Sequence, residues 1–351
     1  MRSTTCFLAS LALAVTVSPL PAQTPERFTI TGDHVAIYDL AGNITVAPGT
    51  GSDVVVEVTR RGPDGAQLKM ETGPVRDIQT FRVIFPDDQI VFRMDWNGRT
   101  EMYVRDDGTF GGNHNGRDRG RRVQIRSSGS GLEAHADLRV LIPAGKRVAV
   151  NIGVGTLDAS NVNGNITLDA ASANITADGM KGSLTLDTGS GNVTATNVEG
   201  SLNVDTGSGD VRVNGVNGTG LTIDTGSGNV TGSTITASNL SVDTGSGNIE
   251  LTGVRATNLS MDTGSGDVSI TLLSDTENVV VDTGSGNITI TLPAGFGSRV
   301  DLSTSSGDVE TDVEIQVTRR GRQHLVGSIG DGQGQMTIDA GSGNVTLRGS
   351  R

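Results

Sequence analysis

Short runs in which apolar and polar residues alternate recur along the second half of the chain. In Ser183-Leu184-Thr185-Leu186-Asp187 the two leucines share a face, and Asn192-Val193-Thr194-Ala195-Thr196 alternates again. Period-two alternation predicts half-buried strands. Between such runs stands a hexapeptide, Asp-Thr-Gly-Ser-Gly-(Asn/Asp), which begins at Asp187, Asp205, Asp224, Asp243, Asp262 and Asp282, with a near copy at Asp339. Its glycines accept positive φ, so each copy predicts a corner. A looser turn near Val198 to Gly200 leads into the next copy. The equivalent inward pairs are Leu202/Val204, Leu221/Ile223, Leu240/Val242, Leu259/Met261 and Val279/Val281. One copy has too few apolar groups to bury a core, and stacking copies at about 4.8 Å joins them into one. A step of 18 to 20 residues is a stacked-repeat signature. The expected fold is all-β, a single elongated β-solenoid with rungs of 18–20 residues and an inserted β-hairpin region.

Degenerate copies extend the array. Asp169-Ala170-Ala171-Ser172-Ala173-Asn174 and Asn151-Ile152-Gly153-Val154-Gly155-Thr156 keep the step upstream, and Ser303-Thr304-Ser305-Ser306-Gly307-Asp308 drifts downstream before Asp339 resumes the pattern. Residues 23–62 read as N-terminal β rungs, 63–126 as an insertion and 127–351 as the solenoid repeats. The insertion breaks the rhythm. It gathers Phe81, Phe85, Phe92, Trp96, Tyr103 and Phe110, carries a hairpin signal at Asn97-Gly98, and ends in a Gly/Arg-rich loop.

Residues 1–22 read as a signal peptide, with Arg2, an apolar run Phe7 to Val17, and Leu20-Pro21-Ala22 as the cleavage site. The single cysteine, Cys6, would leave with it, so no disulfide supports the expected mature chain. The expected address is exported: periplasmic, cell-surface or secreted. A formal charge of -12 argues against nucleic acid, whose phosphates want a basic face. Fifty glycines and 3% aromatics suit short strands and tight turns better than a globular enzyme.

The iterated corner, the Ile142-Pro143-Ala144-Gly145 strand and the closing Met336-Thr337-Ile338-Asp339-Ala340-Gly341-Ser342-Gly343-Asn344 segment resemble a bacterial β-strand-repeat family called putative adhesins, domain of unknown function 4097. The resemblance spans roughly residues 35–348. It implies an exported or envelope-associated β-repeat protein and supplies no catalytic residues.

Asp-Thr-Gly-Ser is also the tetrapeptide of pepsin-like proteases, whose two aspartates face each other across a cleft. Corners stacked along one axis do not oppose each other, which argues against that chemistry. A column of Asp187, Asp205, Asp224, Asp243, Asp262, Asp282 and Asp339 is expected to cap its own Gly-Ser-Gly turns; a Ca²⁺ array is the competing reading. The spacing of that column does not match the Gly-rich Ca²⁺-binding nonapeptide, so no metal or other cofactor is expected. Outward threonines such as Thr194, Thr231 and Thr289 could form an ice- or glycan-binding face, but Arg212 and Glu250 interrupt them. His34, His114, His135 and His324 lack metal-ligand spacing.

The sequence therefore predicts a non-catalytic surface binding protein, its partner a cell-envelope polymer or a surface protein. Trp96, Tyr103, Arg117, Arg119, Arg121 and Arg122 of the insertion are the candidate binding residues. A structural or envelope-stress scaffold is the alternative, and a polysaccharide-active β-helix enzyme a third.

Overall fold

A computed structural model describes residues 25–93, 98–111 and 120–350. The expected leader, residues 1–22, lies outside them. Among the described residues the regular structure is strand, apart from one 3-10 turn at Gly65–Gln67. It forms the expected β-solenoid: His34–Pro48 pairs in parallel with Lys146–Ser160, which pairs with Asn163–Asp178, and rung follows rung to Ile249–Thr263 and beyond.

The alternation read from the sequence sorts side chains between core and solvent. Leu184, Leu186, Leu202, Val204, Leu221, Ile223, Leu240 and Val242 are each at most 3% exposed. Opposite them Val193, Val211, Val230 and Ile249 close the same continuous core. The step lengthens from 18 to 19 residues where the register slips between Glu199 and Leu202, so the extra residue is absorbed outside the core pairs.

Each rung turns at two columns. One is the Gly-Ser-Gly corner. The other holds Asn161, Gly179, Asn197, Gly215, Thr234 and Gly253, all with φ between 54° and 69°. No common residue type marks this second column, so the sequence signalled only a loose turn nearby. Thr234 is costly there, because a β-branched side chain crowds the left-handed backbone.

The ends depart from simple stacking. Of the residues read as N-terminal rungs, only His34–Pro48 is one; Val54–Arg61 runs antiparallel to both Glu26–Ile30 and His135–Ile142. Lys69–Val75 and Ile78–Ile84 form a hairpin turning at Arg76 and Asp77, and its second strand pairs with the outer edge of the first rung. Asn97 of the expected hairpin lies outside the described residues, and the described strands on either side of it do not pair with each other. Strand Arg121–Arg126 lies between Gln89–Val91 and Arg99–Val104, offering buried Val123 and Ile125 to the small sheet.

At the other end the spatial order differs from the chain order. Asp339 stacks on Asp282, and Ser303 stacks outside Asp339. The last repeat in sequence is therefore the penultimate one in space, between Asn278–Leu292 and Ser298–Thr311.

Two substitutions test the corners. A Cβ on Gly209, at φ 145°, would lie 2.0 Å from the carbonyl oxygen of Gly191, whereas one on Gly220 meets nothing within 4 Å. Gly209→Ala should cost at least ~1–3 kcal/mol in urea unfolding, with Gly220→Ala nearly silent. Thr234→Gly should raise stability, by up to about 1 kcal/mol, by relieving the left-handed threonine.

Candidate functional site

The hexapeptide repeats along one side of the solenoid, and each of its positions has a distinct role. The aspartate points outward. The threonine points inward, as in Thr188, Thr206, Thr244, Thr263 and Thr283, all fully buried. Their hydroxyls donate to the carbonyl one corner earlier, such as Thr188 to Ala173 at 3.0 Å and Thr283 to Gly266 at 3.0 Å, whereas the equivalent Thr225 hydroxyl is buried without a partner. The first glycine lets adjacent corners approach; a Cβ on Gly207 would sit 2.7 Å from the Gly189 carbonyl oxygen. The second glycine supplies the unusual φ. The final Asn or Asp accepts the backbone N–H of its counterpart on the next rung, from Asn192 N–H to Asn174 Oδ1 at 2.9 Å through Asp210, Asn229, Asn248, Asp267 and Asn287. Only an Oδ1 acceptor is required, which is why Asn and Asp interchange.

The leading aspartates do not cap their own turns. The corner glycine N–H groups are already used: Gly207 donates to Thr188 and Gly209 to Ser227 on neighbouring rungs. The side-chain acceptor in the repeat is the sixth residue, which takes the sixth-position N–H of the next rung and not a corner N–H. Asp169, Asp187, Asp205, Asp224, Asp243, Asp262, Asp282 and Asp339 are left as one in-register column. Neighbouring carboxylates at the inter-strand distance repel by about 1 kcal/mol in water and more near protein.

Burial and this repulsion hold several of these carboxyls above the ordinary range. Asp169 is pushed up to about 6, first by burial and then by Asp187. Asp187, Asp205, Asp243 and Asp282 are raised for the same two reasons, desolvation and a neighbouring aspartate. The column ends in uncharged residues: Tyr38 and Asn151 continue it beyond Asp169, and Ser303 stands beyond Asp339, its hydroxyl donating to Asp339 Oδ1 at 3.0 Å.

The insertion meets the column at the Asp169 end. Phe110 packs edge-on against Tyr38 with ring centroids 5.5 Å apart, and Gly111 lies close to Asp169. Arg105, 9% exposed, ties this segment together through Thr109 Oγ1 at 2.8 Å and the Gly111 carbonyl at 3.1 Å. Beneath the same end Asp39 is fully buried; its Oδ1 accepts from Ala41 N–H, Oδ2 has no partner, and burial raises it well above the carboxylate range.

Of the candidate binding residues, Trp96, Arg117 and Arg119 lie outside the described residues. Tyr103 and Arg122 are directly opposite each other across the antiparallel pair, with Tyr103 47% exposed and Arg122 3.4 Å from Glu101. Arg121 is set apart from them. It donates to the Phe85 carbonyl at 2.6 Å and pairs with Asp88, which makes it a tie within the insertion. Among the described residues no three His, Cys, Asp or Glu side chains converge as metal ligands.

A family model, Toastrack DUF4097, matches residues 118–348. The chain belongs to the Toastrack family. The Toastrack match begins after the first rung, His34–Pro48, although that strand stacks in register on the matched part. Two solved structures are similar to the Toastrack chain. One, described as a putative cell adhesion protein from Clostridium sporogenes, has 9% identity, a TM-score of 0.20 and coverage of 93% of this chain and 100% of its own. The other, described as a putative adhesin from Bacteroides fragilis, has 12% identity, a TM-score of 0.35 and coverage of 95% and 99%. No curated protein matches the sequence. Among the described residues of this Toastrack protein no helix is long and apolar enough to cross a membrane.

The raised aspartates give a pH signature. A carboxyl held above its ordinary value favours the protonated folded chain. Its stabilisation is complete below the unfolded value near 4 and is lost as pH rises through the folded value. His135, lowered by burial, opposes this below its ordinary range. Asp33 and Glu101, lowered mainly by hydrogen bonds from Lys146 and Arg99, oppose it only at more acid pH. The melting temperature should thus rise by several degrees from about pH 7.5 to about pH 5. Combined Asp205→Asn, Asp243→Asn and Asp282→Asn changes should raise it at neutral pH and flatten the profile. Ca²⁺ that raises it no more than NaCl of equal ionic strength identifies screening rather than a bound ion.

Proposed function

We propose that this chain is a non-catalytic, exported binding protein of the cell envelope or surface, meeting a cell-envelope polymer or surface protein along the repeating side of its solenoid. One observation carries the reading: outward side chains of equal kind stand in register over successive rungs. Beside the aspartate column run Thr185, Asn203, Thr222, Ser241 and Ser260, and next to these Asn239, Asn258 and Asn278, linked amide to amide at 2.9 and 2.7 Å. An extended partner can engage such an array at many equivalent points. Weak contacts then add through effective concentration, so affinity does not require one deep site. The exposed Tyr103/Arg122 pair lies on the insertion that covers the Asp169 end, and a stacking aromatic beside a guanidinium suits a sugar or an anionic polymer.

Co-sedimentation with isolated envelope fractions tests this. The wild-type chain should pellet with the envelope. Asp205→Asn/Asp224→Asn/Asp243→Asn should change binding at least several-fold if the repeating side is used. Tyr103→Ala/Arg122→Ala should do so if the insertion is used. Absence of envelope binding by the folded wild-type chain would sink the proposal.

A further inference from the structure

We infer that the C-terminal repeat is an exchangeable rung, and that the place it occupies accepts the same segment from a second copy of this chain. The interleaved order of the last repeats carries the inference. Gly334–Ser342 and Val345–Gly349 pair in parallel with Asn278–Ser285 and Ile288–Leu292 on one side. On the other they pair with Ser298–Thr304 and Val309–Thr311. The outer rung and its antiparallel cover, His324–Ile329 with Gln316–Arg320, precede this segment in the chain. The chain thus makes both walls of a one-rung space before it makes the rung that fills it.

The walls and the filler are matched. Met336, Ile338, Ala340, Val345 and Leu347 are all fully buried. They sit between Val279, Val281, Ile288 and Ile290 of one wall and Val300, Leu302 and Val309 of the other. Without the filler, two parallel edges would present unpaired N–H and C=O groups over an apolar slot, the situation that strand addition relieves.

Two features allow the filler to come from elsewhere. It is joined to the cover by Gly330-Asp331-Gly332-Gln333, in which Gly330 and Gly332 have φ of 56° and 69° and can extend. The contacts made by a second copy's segment are identical to those made in the same chain, so the balance depends on hinge conformation and concentration. A four-residue tether gives the resident segment an effective concentration of order mM. Exchange between copies therefore becomes competitive where the protein is crowded to that level. Reciprocal exchange closes on two copies, joining two solenoids at the ends that carry this rung.

Energy transfer between full-length copies tests the exchange. In a Cys6→Ser background, one population carries a donor dye at Val280→Cys and the other an acceptor at Ser350→Cys. Val280 is 48% exposed and lies opposite Thr337 of the filler. Mixed at ~1 mM, the level of the tether's effective concentration, and then diluted, the two should show slowly developing transfer in a species of twice the monomer mass. Deleting Asp331 and Gly332 strains insertion within one chain. It should lower the concentration needed for the dimer at least tenfold. Absence of transfer after prolonged mixing overturns the proposal, whether or not the shortened hinge folds. So do transfer confined to higher aggregates and a shortened-hinge chain that remains a folded monomer.

Discussion

Parallel, in-register hydrogen bonding between rungs is the constraint on which the rest of the structure depends. Once Leu184 lies over Leu202 and Asp187 over Asp205, every position of the repeat must tolerate a copy of itself about 4.8 Å above and below. Each residue of the hexapeptide meets that demand in a different way. Leucine on leucine makes core. Threonine on threonine works because the hydroxyl reaches a carbonyl of the preceding corner. Glycine on glycine works because a Cβ would occupy the space of the neighbouring carbonyl. Asparagine on asparagine works because Oδ1 takes the next rung's backbone N–H.

Aspartate on aspartate is the exception, since like charges at strand spacing repel. The same register that secures the core fixes eight carboxylates in a row, and the corner glycine N–H groups that might have neutralised them already serve the inter-rung ladder. The remaining means are solvent, protonation and neutral ends. The most buried member, Asp169, lies under the insertion and is shifted to about 6, while Tyr38, Asn151 and Ser303 end the column without charge. The aspartate is thus repeated at a cost to the fold, where Asn or Ser would stack without repulsion.

The repeat made the solenoid legible. Leu202/Val204 and the other inward pairs followed from period-two alternation and are the core, because nothing in the interior of a rung competes with burial. The second corner was not legible. Asn197, Gly215 and Thr234 share a backbone conformation but no chemistry, and tertiary stacking imposes that conformation on whichever residue arrives there. At the candidate site, the outward direction of the aspartates could be read from the alternation, and their missing caps could not, since those depend on where corner N–H groups go on another rung. Arg121 and Arg122 are adjacent in sequence, yet alternation across the Arg99–Val104 pairing sends Arg122 out beside Tyr103 and leaves Arg121 to Phe85 and Asp88.

The interleaved C-terminal order had a trace in the sequence, and stacking physics explains it. An end rung is covered on one side by something other than a rung, so its corner is released from the requirement to match a copy beyond it. Repeat arrays accordingly carry atypical terminal copies. Ser303-Thr304-Ser305-Ser306-Gly307-Asp308 has lost the aspartate and the first glycine, whereas the segment from Asp339 keeps Asp, Gly, Ser, Gly and Asn. The degraded copy is the one that lies under the antiparallel cover, and the preserved copy is the one with rungs on both sides. Between these two copies, fidelity to the motif marks the spatial order more faithfully than the order of the chain; the copy at Asp169, degraded with a rung on each side, has its corner beside Gly111 of the insertion instead.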